Sequence, residues 1–230
     1  MTSPRCAIDL LTALERTGAH PALAWYGEAA RVELSGHVLA NWIIKAIGHL
    51  EAEVALEEAA QMVIDMPPHW KRLVLVLAAH ALGARVQVTD RAPAGPAPSA
   101  PNAALPQDGE DPTVLATDRP TEPLADRAEE VLALEARSLA PRYNGALPPL
   151  VHDWVQEVRS APDQLATALP DWSGPEPTDC GEAPCLLVPT DGVEVLDQVL
   201  GVFLAGGRIV GPAANIAPQA QETEGVTHRV

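Results

Sequence analysis

The sequence predicts an α/β protein, a mostly parallel sheet flanked by helices. Three observations predict it. Between residues 5 and 90, short apolar runs alternate with longer segments whose apolar residues recur at helical spacing. Such alternation builds βαβ units, whose strands lie parallel. Hydrophobic residues make up 47% of 230, enough for a core without a disulfide scaffold or cofactor. No apolar run reaches the roughly 20 residues of a membrane span, so these segments are expected in a core.

Taken in order, residues 5–17 place Ile8, Leu11 and Leu14 on one helical face. ALAWYG (22–27) and ARVELSG (30–36) read as two strands of a hairpin. Ser35 then stands as a natural N-cap for a helix that aligns Leu39, Trp42, Ile43, Ile47 and Leu50 on one stripe. AAQMVIDM (59–66) is a strand ended by Pro67-Pro68, residues 69–83 are a helix stopped by Gly83, and ARVQVTD (84–90) is a strand. Residues 91–112 are rich in Pro, Ala and Gly and read as a loop inside one domain spanning 1–230. A strand at 112–118 follows, and then 129–138, whose pattern fits a strand or a short helix. Residues 151–165 read as a clear helix, and 170–184 as a second Pro/Gly-rich loop. Next come a strand at 185–189, a helix at 193–205 and a strand at 208–211. The polar tail beyond residue 213 leaves room for a short helix near its start, and its last residues are expected to fray.

The net charge of −16 repels nucleic acid and anionic lipid, so neither is an expected partner. The N-terminal segment lacks the apolar core of a secretory signal, and the three cysteines are odd in number. A reduced, cytoplasmic chain is the expectation. Cys180 and Cys185 share a loop without a second cysteine pair or nearby histidines, so ordinary thiols are expected there.

In a parallel sheet, ligands bind beyond the carboxyl ends of strands. Three such ends carry polar or aromatic residues: His69-Trp70 after Pro67-Pro68, Asp90 after Thr89, and Thr190-Asp191 before Gly192. They form the expected ligand crevice, together with His152 and Asp153. The alternative is structural, with Trp70 packed on the sheet and His69 capping a helix. LLVPTDGVEVLD (186–197) has the outline of a phosphate loop, yet it holds one glycine and no lysine. Asp191 and Glu194 instead fit an acidic form of the capping box, giving a self-capped helix. The His152-Asp153 pair, read on a helix, lacks the further ligands that a metal-dependent hydrolase supplies from neighbouring helices, so neither metal nor cofactor is expected. His49 and His80 lie within apolar helical patterns and are expected to be partly buried. No G-x-S-x-G, G-x-G-x-x-G, Walker A or H-E-x-x-H sequence occurs.

PALAWYG (21–27), RVELSGHVLANWIIKAIGHL (31–50) and MVIDMPPHWKRLVLVLAAHALGARV (62–86) together resemble the N-terminal subdomain of the AMP-binding, adenylate-forming synthetase/ligase family. VLDQVLGVFLAGGRIVGP (195–212) resembles the helix, turn and strand that follow that family's phosphate loop. MPPHWK (66–71) and LPPLVHDWVQEVRSAPDQL (147–165) look more specifically like a group of short actinobacterial proteins related to that region. The resemblance implies the family's fold without its ATP chemistry. The Thr/Ser/Gly-rich loop ending in lysine has no counterpart here, and no family catalytic residue carries over. The expectation is a non-catalytic module binding a small acyl-type ligand or a protein partner. The alternative is a partial acyl-adenylating or acyl-transferring enzyme completed by another chain. A homodimer formed through the edge of the 22–36 hairpin is a third expectation.

Overall fold

A computed structural model describes residues 6–27, 31–89, 111–166 and 168–230. Asp90 and most of the expected 91–112 loop lie outside them. Helix α1 (Cys6–Thr17) leads into β1 (Pro21–Tyr26) and β2 (Arg31–Ser35), an antiparallel hairpin as read from the sequence. Then follow α2 (Gly36–Ala52), β3 (Gln61–Asp65), α3 (Trp70–Ala81), β4 (Arg85–Val88), β5 (Val114–Thr117), β6 (Glu130–Ala133) and β7 (His152–Asp153). The chain continues through α4 (Trp154–Glu157), β8 (Cys185–Leu187), α5 (Leu196–Leu204), β9 (Arg208–Gly211), α6 (Pro218–Thr223) and β10 (His228–Arg229).

Among the described residues, the strands divide between two five-stranded sheets. One runs β10-β8-β9-β1-β2, with β1 antiparallel to β2 and the other described pairings parallel. The other runs β4-β3-β5-β6-β7 and is parallel throughout. The mostly parallel character is as expected, and the division shows why. The hairpin and the C-terminal strands form one layer, and the middle of the chain forms the other. One apolar cluster reaches across both, from Leu23 and Ile209 in the first sheet to Met62 and Leu132 in the second. Helix α3 is buried on nearly every face, from Trp70 through Ala79, as a helix must be when packed on all sides.

Local expectations hold at the helix starts. Ser35 caps α2 by accepting the Val38 N–H, and His69 caps α3, its Nδ1 accepting the Lys71 N–H at 3.1 Å. Gly83 takes φ +76° to end the α3 segment, a conformation that disfavours any residue with a Cβ. The open reading at 129–138 resolves as a strand.

Three expectations need correction. The helix read over 151–165 is one turn long, and His152-Asp153 lies on a strand before it. Leu132 and Ala133 of β6 pair with His152 and Asp153, which fixes both residues as extended chain. After the turn, Lys45 donates to the carbonyls of Arg159 and Ala161, and Pro162 bars continuation. Second, the polar tail read without a strand ends in one. His228 and Arg229 pair with Leu186 and Leu187 of β8. Glu224, buried just before them, accepts from Arg31 (2.6 Å), Tyr26 Oη (2.6 Å) and Arg208 (3.0 Å). Third, Asp191 does not cap the following helix. A short 3-10 turn at Val193–Val195 intervenes, its N-cap is Gly192 at φ +90°, and no side chain caps α5. Glu194 makes the backward reach of a capping box but to Thr190, bonding its N–H at 2.9 Å and its hydroxyl at 2.6 Å.

Candidate functional site

The expected crevice residues form two groups. His69, Trp70, Thr190 and Asp191 meet where the end of β3 faces the end of β8, at the seam between the sheets. His152 and Asp153 lie apart from them on β7.

At the seam the central group is Asp191. Both its oxygens face the Arg72 guanidinium, Oδ2 at 2.6 Å from Nε and Oδ1 at 2.8 Å from Nη2. Oδ2 also accepts the His69 N–H at 2.9 Å, and Oδ1 accepts from Val193 N at 3.3 Å. Asp191 is 2% and Arg72 4% exposed, so the pair is closed to solvent. Arg72 also reaches the Met66 carbonyl at 3.4 Å, tying the end of β3 to the same pair. The neighbouring Lys71 is buried as well, and its Nζ donates to the Glu135 and Arg137 carbonyls at 2.7 Å each. The His69 Nε2 lies 3.2 Å from the Ser138 hydroxyl. Burial, and then the charges of Lys71 and Arg72, push the His69 imidazole well below its ordinary pKa, so the ring is neutral.

Aromatic rings continue the seam. Trp25 meets His69 (5.6 Å between centroids), His69 meets Trp70 (5.6 Å), Trp70 meets Trp42 edge-on (5.2 Å) and Trp42 meets Trp154 (6.2 Å). Thus His69 caps and Trp70 packs, the structural alternative in the sequence reading. Sequence reasoning missed Lys71 and Arg72. A signal was present, because two cations in a helix's first turn oppose the macrodipole and must be held from elsewhere.

On β7, Asp153 caps α4 through Gln156 N at 3.1 Å, and both its oxygens accept from Tyr143 N at 3.0 Å. His152 has two carboxylate neighbours: Nδ1 is 2.7 Å from Glu157 Oε2, and Nε2 is 3.4 Å from Glu130 Oε2. The same Glu157 oxygen lies 2.9 Å from Nε2 of His49 on α2. Burial lowers the His49 pKa, against the contrary pull of Glu157. For Glu157, hydrogen bonds from both imidazoles outweigh burial and hold its carboxyl below the usual range. Neither His49 nor Glu157 was read as a site residue. One stands in an apolar stripe, and the other is an ordinary helix acid until the fold places them together. A cavity of about 400 Å³, lined by Glu129, Glu130, Leu150, Val151 and His152, opens beside this group.

Two mostly parallel sheets packed with helices and joined at a buried seam define the class, an α/β protein with the fold of the N-terminal domain of adenylate-forming enzymes. The particular likenesses are to acyl-CoA synthetases. An acyl-CoA synthetase from Brucella canis matches with a TM-score of 0.62 and 16% identity, over 96% of this chain and 46% of that one. Acetoacetyl-CoA synthetase from Streptomyces lividans matches at 0.61 and 13% identity, over 89% and 38%. The inhibitor-bound N-terminal domain of FACL13 from Mycobacterium tuberculosis matches at 0.61 and 12% identity, over 89% and 56%. Identities this low make the likeness one of fold. The chain spans only 38% to 56% of these three solved structures. In sequence, a TIGR03089 family protein from Mycobacterium tuberculosis is 33% identical over 72 residues, 30% of each chain, and is the actinobacterial relative that the resemblance anticipated. No family model matches the chain. No helix among the described residues is long and apolar enough to cross a membrane.

Proposed function

We propose that the protein is a non-catalytic binding module on an adenylate-forming scaffold, taking a small acyl-type ligand or a protein partner without performing ATP chemistry. The observation that carries this reading is the closed Arg72–Asp191 pair at the seam. A turn that receives a phosphate offers free backbone N–H groups and a cation. Here the cation is consumed by a carboxylate of the turn itself, which also takes the N–H groups of His69 and Val193. An incoming phosphate would meet a negative charge that is already fully bonded. Open surface lies instead beside β7, where Leu139, Leu147 and Leu150 are exposed along one segment.

A second reading has one observation in its favour. Nearly all of this chain superposes on less than half of the Brucella canis synthetase, as a part-enzyme completed by another chain would. ATP–pyrophosphate exchange by the purified protein, alone and with carboxylic acids, separates the two. No exchange, and a thermal shift with acyl-CoA or carboxylates but not with ATP or AMP, is the expected result. A ligand at 100 times its Kd adds about 2.7 kcal/mol of stability, within reach of that measurement. Exchange above background would overturn the non-catalytic reading.

A further inference from the structure

We propose that His49, His152 and Glu157 form a binding site for a divalent transition-metal ion of the zinc class, with a fourth position open to solvent. The three donors come from three segments, α2, β7 and α4, and their ligand atoms lie within 4.8 Å of one another. Two imidazoles and one carboxylate are the donor set of open zinc sites, in which three protein ligands leave one position for water or a ligand oxygen. The nitrogens select against calcium and magnesium, which take oxygen donors.

The observed spacing fits the metal-free form of such a site. Zinc bonds of about 2.1 Å at tetrahedral angles set ligand atoms about 3.4 Å apart. Here Glu157 Oε2 lies 2.9 Å from His49 Nε2 and 2.7 Å from His152 Nδ1, hydrogen-bond distances with protons where the ion would sit. Entry of the ion moves the proton of each ring from the ligating nitrogen to the other, Nε2 of His152 and Nδ1 of His49, and shifts the carboxylate outward by about half an ångström. Glu157 can make that movement, because it is 34% exposed and sits on a single helical turn. Access comes from the same side, through partly exposed His152 and the neighbouring cavity.

Two further features favour a ligand role over a plain hydrogen-bonded cluster. Glu130 lies 3.4 Å from the far nitrogen of His152, within reach of the carboxylate–histidine–metal contact that orients a ligating imidazole. His49 is 1% exposed among the apolar side chains of α2, and its Nε2 is aimed at Glu157. Burial on α2 thus fixes one donor of the three, while His152 and Glu157 supply the other two from the accessible side.

The test uses the full chain, free of any tag and stripped with a chelator. Zinc titrated against a chromophoric competitor should bind at one ion per chain, and cobalt should give the visible bands of a four-coordinate site. His152→Ala and Glu157→Gln should each lower zinc affinity by at least about tenfold, and Glu130→Gln should lower it by about tenfold while leaving the cobalt bands in place. Because Glu130 is 42% exposed, that last variant reads the site without disturbing the core. Absence of stoichiometric binding, unchanged affinity in His152→Ala and Glu157→Gln, or cobalt–thiolate bands that place the ion on Cys180 or Cys185 would each overturn the proposal.

Discussion

Asp191 and Arg72 are held by one another across 119 residues of sequence, and both are buried from solvent. Removing one side leaves an uncompensated buried charge. Asp191→Ala should therefore cost about 3–5 kcal/mol in a denaturant titration, whereas Arg72→Met with Asp191→Leu should recover part of that loss. A second prediction concerns His80 at the end of α3, whose ring lies beside Ser173 (3.1 Å) and Trp172. Burial lowers its pKa from 6.5 to about 4. Between those values the unfolded chain binds a proton that the folded protein refuses. The stabilisation is therefore complete above 6.5 and lost as pH falls toward 4. Denaturation midpoints followed across that window should drop less steeply for His80→Gln than for the parent.

Among the elements, those between residues 6 and 89 were legible because each carries enough periodic apolar residues to outvote local noise. The segment after β6 was not. Val151, Trp154, Val155 and Val158 fit a helical stripe, but β-pairing at His152-Asp153 and the grip of Lys45 on later carbonyls decide its structure. Neither force leaves a mark on hydrophobic spacing. The same applies to β10, where a polar tail is pinned by Glu224. Tyr26 and Arg31 come from the hairpin and Arg208 from β9, so one carboxylate ties the end of the chain to three strands. Glu224→Ala should destabilise by about 1–3 kcal/mol and, before global unfolding, should speed amide exchange at Thr227, whose N–H donates to the Cys185 carbonyl at 2.9 Å. At the free edge of the first sheet, β2 presents Arg31 and Glu33 paired with each other. A charged edge of that kind resists strand addition.

For the molecule as a whole, the fold was readable where periodicity carries it, and the candidate site was readable only in fragments. His69, Trp70, Thr190 and Asp191 were found because strand ends attract polar residues. Arg72 completes their arrangement from within a helix, and nothing in local pattern pairs it with Asp191. His152 was singled out for its neighbour Asp153, but its spatial partners are His49 and Glu157. Such juxtapositions join segments more than a hundred residues apart in sequence, so they exist only in the folded chain.

The row of rings along the seam has an optical consequence. Four of the five tryptophans, Trp25, Trp42, Trp70 and Trp154, lie in a chain of contacts broken only by the neutral imidazole of His69. Light absorbed by one indole passes to its neighbours before it is emitted. The intrinsic fluorescence and near-ultraviolet dichroism of this protein are therefore dominated by a single structural line. They serve as a native reporter of whether the two sheets remain joined, with no label required.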